Sequence, residues 1–415
     1  SRHLLVQGAD IVNLHWVALF QSVESVAALL EAGQPVVWTL HDMNPFSGGC
    51  HYPAGCSGYR GDCRDCPQLR ENELQLPAKI LQSKKKFWRR NLTIVTPSRW
   101  LGACARQSSV FGNFRVEVIP NSLETDVFVP RDRAAAKEEL GFDRGQFLLL
   151  FSTYSDREKR KGFPELMRAL QCALKNRRFR ELASRGGVQI LNLGPAQDQI
   201  AGQGFAVRDL GVIDAQDKLA AIYAAADVFV MPSLEENLAN VMLEAMACAT
   251  PVLGFAAGGT PEVIRNDVNG FLVPVAAVEP FAERLLELAF NKSLRERMGT
   301  NCRLLIEEKF KLTDQAANYL ELYRDLLKKK RETRGPAAGP GTAGTASELK
   351  TNMVQGYLED LYRQTADALP RHLGWRRFKG RRSRDLRTIR HLLKNRGIIY
   401  TVKAVAEKLR ARMGV

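Results

Sequence analysis

Glu236 and Glu244 are two acidic residues whose type and spacing suit a functional site. They lie eight positions apart in 236-ENLANVMLEAMACATPVLGFAAGGTPEVI-264. On one helix, that spacing separates two side chains by about 80° around the axis and about 12 Å along it. The carboxylates are then too far apart to share a proton or one metal ion. We expect them to contact the two ends of one ligand that is about as long as a nucleoside diphosphate.

The segment around Glu236 predicts a turn from a strand into a helix. The stretch 226-ADVFVMPS-233 is typical of a buried strand, and 241-VMLEAMACA-249 is typical of a helix. Small and polar residues fill 236–240, so the N–H groups at the start of the helix are predicted to be accessible. Such groups, at the positive end of a helix dipole, favour a phosphate. The simpler alternative is a helix with one capping acid and one exposed glutamate.

These motifs resemble a known family, the retaining glycosyltransferases of family 4, which have the GT-B fold. The family pattern is PS-x-x-E, then E-A-M-A-C-G-x-P-V and GG-x-x-E, and it matches 232–264 and the following 269-NGFLVP-274. The resemblance extends to 210-LGVID-214, to Tyr223 and to the interdomain-like segment 119-IPNSLETDVF-128. It covers residues from about 9 to 330.

The resemblance implies a role for each matched residue. Glu244 would bind the ribose hydroxyls of a sugar nucleotide, and Glu236 would lie at the transferred sugar. Lys161, in 160-RKGF-163, would neutralise the departing diphosphate, because a fixed cation stabilises that charge without reorganisation. No catalytic metal is then expected. The diphosphate would also meet the turn residues Asn237, Leu238, Ala239 and Asn240.

The chain departs from the family pattern at two positions. The family usually has an arginine where this chain has Ser155, and we expect Arg157 or Arg160 to replace it. Ala249 stands where the family has glycine, and we expect only a change in packing there. Without the family context, Lys161 would be interpreted as a solvated charge in the run 157-REKRKG-162.

A second group of candidate residues lies in 38-WTLHDMNPFSGGCHYPAGCSGYRGDCRDCPQL-69. His41 follows an apolar strand and is predicted to point into the cleft. One branch of family 4 has a similar segment with further cysteines, and the resemblance implies that His41 contacts the donor sugar. Gly48 and Gly49 would allow a tight turn or a close approach of the backbone to a ligand.

Four cysteines in this loop have the spacing of a metal site. Cys50, Cys56, Cys63 and Cys66 could hold a structural zinc ion, with His51 as a spare ligand. A long loop with few apolar residues needs such a staple. Two disulfides or four free thiols are the alternatives. The remaining cysteines, Cys104, Cys172, Cys248 and Cys302, are interpreted as core thiols.

Apolar strand-like runs alternate with helical runs, which predicts an α/β protein with two doubly wound, Rossmann-like domains facing a cleft. We assign 1–128 to an N-terminal, acceptor-side domain with a Cys-rich loop at 46–69, and 129–312 to a C-terminal nucleotide-sugar-binding domain. A closing helix at 313–331 and a flexible linker at 332–346 follow. The resemblance implies further strands before residue 9, so we expect the N-terminal domain to be incomplete and the chain to be a segment of a longer protein.

The net charge of +15 is concentrated at the C-terminus. Residues 347–415 have 17 Lys and Arg against 6 Asp and Glu, whereas residues 1–327 are neutral overall. A nucleic-acid-binding body is therefore not expected. The helical basic tail suits an anionic membrane surface or a neighbouring module, or is a solvated connector. We find no secretory signal or membrane span and expect a cytoplasmic, reducing location, with peripheral contact at the inner face of the membrane.

These observations predict a retaining glycosyltransferase. It would move a sugar from a UDP- or GDP-sugar to a glycan or lipid-linked acceptor, in cell-surface polysaccharide synthesis. The alternative from another class is an inactive transferase-fold module that binds or assembles within a larger protein. A sugar-nucleotide epimerase of the same architecture and a zinc-dependent nucleic-acid binder are further alternatives, and the neutral body argues against the last.

Overall fold

The computed structural model describes residues 4–18, 21–88, 91–152, 158–194 and 204–334. The chain divides into two compact units, 1–336 and 337–415, and all described residues lie in the first. Ser155, Arg157 and the predicted basic tail lie outside the described residues, as does most of the predicted linker.

Two parallel sheets form the centre of the described unit. We call the part built on the first, four-stranded sheet the first domain, and the part built on the six-stranded sheet the second domain. The strand orders are β1-β2-β3-β4 and β10-β9-β8-β5-β6-β7. The strands are β1 (Val12–Leu14), β2 (Val36–Thr39), β3 (Leu92–Thr96), β4 (Arg115–Val118), β5 (Phe147–Ser152), β6 (Val188–Leu193), β7 (Ala206–Gly211), β8 (Val228–Met231), β9 (Val252–Phe255) and β10 (Gly270–Val273).

Helices connect these strands and cover the sheets. They are α1 (Leu4–Gln7), α2 (Val23–Glu31), α3 (Leu76–Phe87), α4 (Arg99–Gln107), α5 (Arg133–Glu139), α6 (Phe163–Ala173), α7 (Arg177–Ser184), α8 (Gln216–Ala225), α9 (Asn240–Ala247), α10 (Val278–Phe290), α11 (Lys292–Lys309) and α12 (Leu312–Arg334). Within the described ranges, none of them combines the length and the apolar character needed to cross a membrane.

The alternation of side chains along β5 explains why the second domain has helices on both faces of its sheet. Leu148 and Leu150 belong to one buried apolar cluster. Phe147, Leu149 and Phe151 belong to another. Successive side chains of a strand point to opposite faces, so an uninterrupted apolar strand needs a cover on each side. This confirms the predicted α/β class with two parallel sheets.

β10 is a strand that the sequence analysis did not predict. It pairs in parallel with β9, and Gly270 lies opposite Val252. A Cβ atom added at Gly270 would lie 2.3 Å from the carbonyl oxygen of Val252. In the stretch 269-NGFLVP-274 the three apolar residues lie between Gly270 and Pro274, and these two residue types indicate a loop rather than a strand.

The strand order places a crevice between β5 and β8. From β5 the sheet continues through β6 and β7 in one direction, and through β8, β9 and β10 in the other. In open parallel sheets, ligands bind outside the carboxyl ends of the strands at such a switch point. The segment after β8 leads to Glu236, and Lys161 precedes α6 on the connection that follows β5.

The last helix, α12, packs against the first domain. Leu322 is buried with Val37, Val95 and Ile119. The Tyr319 hydroxyl lies 2.9 Å from the hydroxyl of Thr39, and Asn13 donates a hydrogen bond to the Tyr323 hydroxyl at 2.7 Å. The helix extends to Arg334, beyond the expected end at residue 331 and into the predicted linker.

Ala249 has a backbone role rather than the packing role we expected. It follows α9 with φ +58°, in the left-handed region. Its N–H bonds the carbonyl of Met246, and the N–H of Thr250 bonds the carbonyl of Ala245. This is a Schellman motif, in which the residue after the C-cap is usually glycine because a side chain there strains the backbone.

We expect Ala249→Gly to raise the free energy of unfolding by about 0.5–1 kcal/mol, because relief of the left-handed strain exceeds the entropy cost of glycine. Ala134→Gly, in the right-handed backbone of α5, is the matched control and should lower it by about 1 kcal/mol. Urea unfolding of the two variants measures both. An equal loss in both would show that Ala249 is not strained.

Candidate functional site

Glu236 is the buried acid at the centre of the site. It lies in the turn between β8 and α9, and the residue is only 6% exposed. Its Oε2 atom lies 2.7 Å from the Nζ atom of Lys161 and 3.3 Å from Nη1 of Arg160. The site therefore brings together Glu236 and Lys161, two residues singled out in the sequence, and adds Arg160, which we had named only as a replacement for the family arginine.

A glycine allows these two cations to reach Glu236. Arg160 and Lys161 lie in a 3-10 turn that ends at Gly162, whose φ is +67°. A Cβ atom at Gly162 would lie 1.7 Å from the carbonyl oxygen of Pro232. The N–H of Leu234 also donates to the carbonyl of Arg160 at 2.8 Å. The segment after β8 and the turn before α6 are thus in direct backbone contact.

The two cations determine the ionisation of Glu236. Burial raises the pKa of its carboxyl group, but attraction to Lys161 and Arg160, with the Lys161 hydrogen bond, outweighs burial and lowers the pKa below its usual value. Glu236 is therefore ionised at neutral pH. It can accept hydrogen bonds and balance positive charge, but it has no proton to donate.

The Cys-rich loop of the first domain reaches the same turn. The Tyr52 hydroxyl donates to Oε1 of Glu236 at 3.4 Å, and the Arg160 guanidinium lies 4.2 Å from the centre of the Tyr52 ring. Glu235 accepts the N–H of Ala54 at 3.0 Å and that of Gly55 at 3.4 Å. No local sequence pattern singles out Tyr52, because its contacts are with residues more than a hundred positions away.

His41 lies at the carboxyl end of β2, where the sequence analysis expected it. Asn237 donates its side-chain N–H to the His41 carbonyl at 3.2 Å, which joins the two loops. The Nε2 atom of His41 lies 3.1 Å from Nδ1 of His15, and the two rings stack. Burial, followed by repulsion from His15, lowers the pKa of His41 and favours a neutral ring.

His15 was missed, although a signal for it existed. It follows β1 just as His41 follows β2, and these strands are parallel neighbours. The carboxyl ends of neighbouring parallel strands meet at one edge of a sheet. Two histidines after two such strands therefore predict a pair of rings at that edge.

The glycine-rich turn after β9 supports the segment that carries Glu236. Gly258 has φ +56°, and a Cβ atom there would lie 1.7 Å from the carbonyl oxygen of Glu236. A Cβ atom at Gly259 would lie 2.3 Å from the Asn237 carbonyl oxygen. These glycines accommodate the protein's own backbone.

Glu262, in the same turn, binds the start of α4 in the first domain. Its carboxylate accepts the N–H groups of Arg99 at 2.8 Å and Trp100 at 2.7 Å. N–H groups in the first turn of a helix have no partner within the helix, so an acid there satisfies them and complements the dipole. Ser98, the N-cap of α4, donates to the Asn237 side chain at 2.6 Å. Glu262 and Ser98 thus tie the two domains together beside the site.

Glu244 lies apart from Glu236 in a second polar site. Its carboxylate accepts a hydrogen bond of 2.9 Å from the Tyr223 hydroxyl. Burial raises the pKa of Glu244, the Tyr223 bond opposes this, and nearby Glu124 adds to it. α9 begins only at Asn240, so Glu236 precedes the helix and the spacing of 80° and 12 Å expected for one helix does not apply.

Two backbone N–H groups in the turn between Glu236 and Glu244 have no hydrogen-bond acceptor in the described part of the chain. They are the N–H groups of Leu238 and Ala239. The side chain of Asn121 donates to the Leu238 carbonyl at 3.0 Å and to the Asn240 side chain at 2.9 Å, which holds the turn from the first domain. The segment thus offers two amides at a helix start next to the buried Glu236, the half-buried Glu244 and two cations.

Comparison with known proteins gives a family match over the part of the chain that contains this site. A family model described as "Glycosyl transferases group 1" matches residues 146–291. This range includes β5, β8 and α9, and the side chains of Glu236, Lys161 and Arg160. Residues 146–291 of the second domain are therefore similar to a glycosyl transferases group 1 domain. D-inositol 3-phosphate glycosyltransferase of Mycobacteroides abscessus is 30% identical over 191 residues, which are 43% of this chain and 40% of that protein. The chain spans roughly half or less of the length of the curated relatives that it matches.

Solved structures show the fold of the whole described unit. Sucrose-phosphate synthase of Thermosynechococcus elongatus aligns over 78% of this chain and 75% of that chain, with a TM-score of 0.59 and 21% identity. Anabaena HepE in complex with UDP aligns over 77% of this chain and 80% of that chain, with a TM-score of 0.57 and 17% identity. The chain therefore has a GT-B-like fold.

The structure does not support a zinc site in the Cys-rich loop of the first domain. Its four cysteines are free thiols that line one cavity of about 390 Å³. Among the described residues, which include all four, no group of three or more His, Cys, Asp or Glu side chains is placed to hold a metal ion. Gly48 packs against α3, since a Cβ atom there would lie 2.7 Å from the carbonyl oxygen of Pro77.

A buried lysine holds this loop in place by hydrogen bonds to its backbone carbonyls. The Nζ atom of Lys84, on α3, donates to the carbonyls of Asn44 and, at 2.9 Å, Ser47. Burial lowers the pKa of Lys84 to about 8. The rings of Phe46 and Tyr59 are also buried and in edge contact. The loop is therefore held by two buried aromatic rings and by the buried Lys84 ammonium, which its amino-acid composition did not predict.

We expect Lys84→Met to lower the free energy of unfolding by about 1–3 kcal/mol, because two buried carbonyls lose their donor. Lys85→Met is the matched control: Lys85 bonds the loop carbonyl of Gly61 but is exposed, so its loss should cost less than about 0.5 kcal/mol. Urea unfolding, with and without a zinc chelator, measures both. A chelator-dependent loss in the wild-type protein would support zinc and contradict the lysine staple.

We expect acid to remove the stabilising contribution of Glu236. Because its folded pKa is lowered, the contribution is complete above its unfolded pKa, near 4.5, and is lost as the pH falls through the lower folded value. Glu236→Gln, which removes the carboxylate partner of Lys161 and leaves Arg160 with Glu158, should be less stable than wild type by about 1–3 kcal/mol at pH 7, and this difference should shrink below pH 4.5. Urea unfolding from pH 7 to 3, with exposed Glu283→Gln as control, tests this. A difference that does not change with pH would contradict it.

Proposed function

We propose that this chain is a retaining glycosyltransferase. It would move a sugar from a UDP- or GDP-sugar to a glycan or lipid-linked acceptor, in cell-surface polysaccharide synthesis. The cluster of Glu236, Lys161 and Arg160, at the switch point of a glycosyl transferases group 1 domain, carries the proposal. The glycosyltransferase names of the relatives support the reaction class. The UDP in the Anabaena complex supports the type of donor.

The donor would lie along the turn between Glu236 and Glu244. We propose that the N–H groups of Leu238 and Ala239 and the ammonium of Lys161 bind the diphosphate. Glu244 would accept the ribose hydroxyls, with its orientation held by the Tyr223 hydroxyl. Each group supplies what its ligand part requires: donors and a cation face the phosphates, and a carboxylate faces the hydroxyls.

Glu236 would hold the transferred sugar as an ionised carboxylate. Its lowered pKa excludes it as a general acid at neutral pH, so it would accept hydrogen bonds from sugar hydroxyls. The diphosphate would compete with Glu236 for Lys161, since both are anions within reach of one ammonium. Arg160 would remain on Glu236, because it is also held by Glu158 at 2.5 Å and by the Tyr52 ring.

In the proposed step, the bond between sugar C1 and the β-phosphate oxygen breaks, and its electron pair stays on that oxygen. The acceptor hydroxyl oxygen forms the new bond to C1 on the same face, and its proton passes to the departing diphosphate. Lys161 and the two amides stabilise the charge that gathers on the leaving group. His41, neutral beside His15, would donate or accept a hydrogen bond at the sugar.

We expect Lys161→Ala and Glu236→Gln in the full-length protein to lower transfer from a UDP- or GDP-sugar by about 10²–10³-fold, since each removes charge complementarity at the reacting sugar or leaving group. Glu244→Gln should weaken binding of the nucleoside diphosphate about tenfold by loss of a charged hydrogen bond to ribose. Glu236→Gln should not weaken that binding, because the diphosphate then no longer competes with a carboxylate for Lys161. Released nucleotide measures transfer, and calorimetry with UDP and GDP measures binding.

Exposed Lys218→Ala and Glu283→Gln are the matched controls and should behave like wild type. Wild-type transfer in all three site variants would contradict the assignment of these residues. Binding of neither UDP nor GDP by the wild-type chain would instead favour the alternative of an inactive assembly module.

A further inference from the structure

Trp16 is a large aromatic residue that the proposed donor site does not use. It lies two positions after β1 and is 46% exposed, whereas most apolar side chains of the first domain are buried. It lines a cavity of about 1230 Å³ together with His51, Tyr52, Glu235 and Arg160. This volume exceeds the roughly 300–1,000 Å³ of pockets that hold one small molecule. Room therefore remains beside the donor for a second substrate.

The Trp16 ring is held in place by a buried acid. Asp42, which is 7% exposed, accepts the Trp16 indole N–H at 3.1 Å. The same carboxylate accepts the N–H of His51 at 2.8 Å and the backbone N–H of Asn44 at 2.8 Å. The rings of Trp16 and His51 stack with their centres 6.0 Å apart. A fixed, exposed aromatic ring binds a ligand with little loss of side-chain entropy.

This ring is close to the reacting end of the proposed donor site. Tyr52 follows His51 directly in the chain, and its hydroxyl contacts Glu236. The His51 ring, which stacks on Trp16, and the Tyr52 side chain, which contacts Glu236, are thus neighbours in the chain. A substrate on the Trp16 ring would extend towards the sugar held at Glu236.

The charges around the cavity favour a neutral ligand. Its lining includes the acids Asp42, Glu158 and Glu235 and the bases Lys159 and Arg160. His51, whose pKa is raised by its hydrogen bond to Asp42, adds at most one positive charge. Acids therefore balance or exceed bases, so the cavity has no surplus cation for a phosphate or a carboxylate.

We propose that Trp16 is a platform for a neutral sugar ring of the acceptor, which makes the acceptor a saccharide rather than a small anion. This inference rests on the proposed function and names its acceptor class. The C–H face of a pyranose ring is apolar and packs on an indole face, while its hydroxyls meet the surrounding acids and amides. Asp42 and His51 are positioning residues, because they fix the ring without contacting the sugar.

A glycan array probed with the purified full chain in the presence of UDP tests this proposal. We expect binding to neutral glycans, a loss of about tenfold or more in Trp16→Ala, and a smaller loss in Trp16→Phe, which keeps an aromatic face. Leu304→Ala, which also removes an exposed apolar side chain but lies on α11, is the control and should bind like wild type. Calorimetry should show the same UDP affinity in wild type and in both Trp16 variants.

Three outcomes would overturn the proposal: no neutral glycan binds, Trp16→Ala binds as well as wild type, or an inositol phosphate binds while neutral glycans do not. Thermal unfolding of each variant shows that it is folded before binding is compared. Failure of the wild-type chain to bind either UDP or GDP would contradict the proposed donor site. Glycan binding that depends on Trp16 would still stand in that case, so the two proposals fail separately.

Discussion

Burial of the Glu236 carboxylate is the constraint on which the arrangement of this cleft depends. A carboxylate removed from water is unfavourable unless cations and hydrogen bonds replace its hydration. Lys161 and Arg160 supply that replacement, and they reach Glu236 only because Gly162 lets the turn before α6 lie against Pro232. A side chain at Gly162 would separate the cations from the acid, so one glycine and three charged residues form a single unit.

The same turn joins the two domains. Glu235 binds backbone N–H groups of the Cys-rich loop, Tyr52 contacts Glu236, and Asn237 bonds both Ser98 and the carbonyl of His41. Each contact uses a polar group of the second domain that is not involved in its own sheet. The proposed donor site and the proposed acceptor platform at Trp16 are therefore two sides of one interface, and a change in domain spacing would affect both.

The amino-acid sequence was most informative where a structural requirement is local. Apolar runs predicted strands such as β2, before His41, and β8, within 226–233, because a strand covered on both faces must be apolar along its whole length. β10 was not predicted, since its three apolar residues lie between Gly270 and Pro274 and these two residue types indicate a loop. The spacing of Glu236 and Glu244 was misread as helical, because α9 begins only at Asn240, and the role of Ala249 became visible only from its positive φ angle. The four cysteines suggested zinc, but the loop is held by Lys84 and by buried aromatic rings.

The sequence alone determined the α/β class, and it predicted the turn before α9 and singled out Glu236, Glu244 and Lys161 as candidates, because these depend on neighbours within a few residues or on a recognisable motif. Tertiary structure decided that Arg160 and Tyr52 complete the Glu236 site, that His15 pairs with His41, and that Trp16 is held by Asp42. These contacts join residues that are often far apart in the chain. Their energies come from burial and from charge at distances of a few ångströms, which exist only once both sheets have formed and the domains have met.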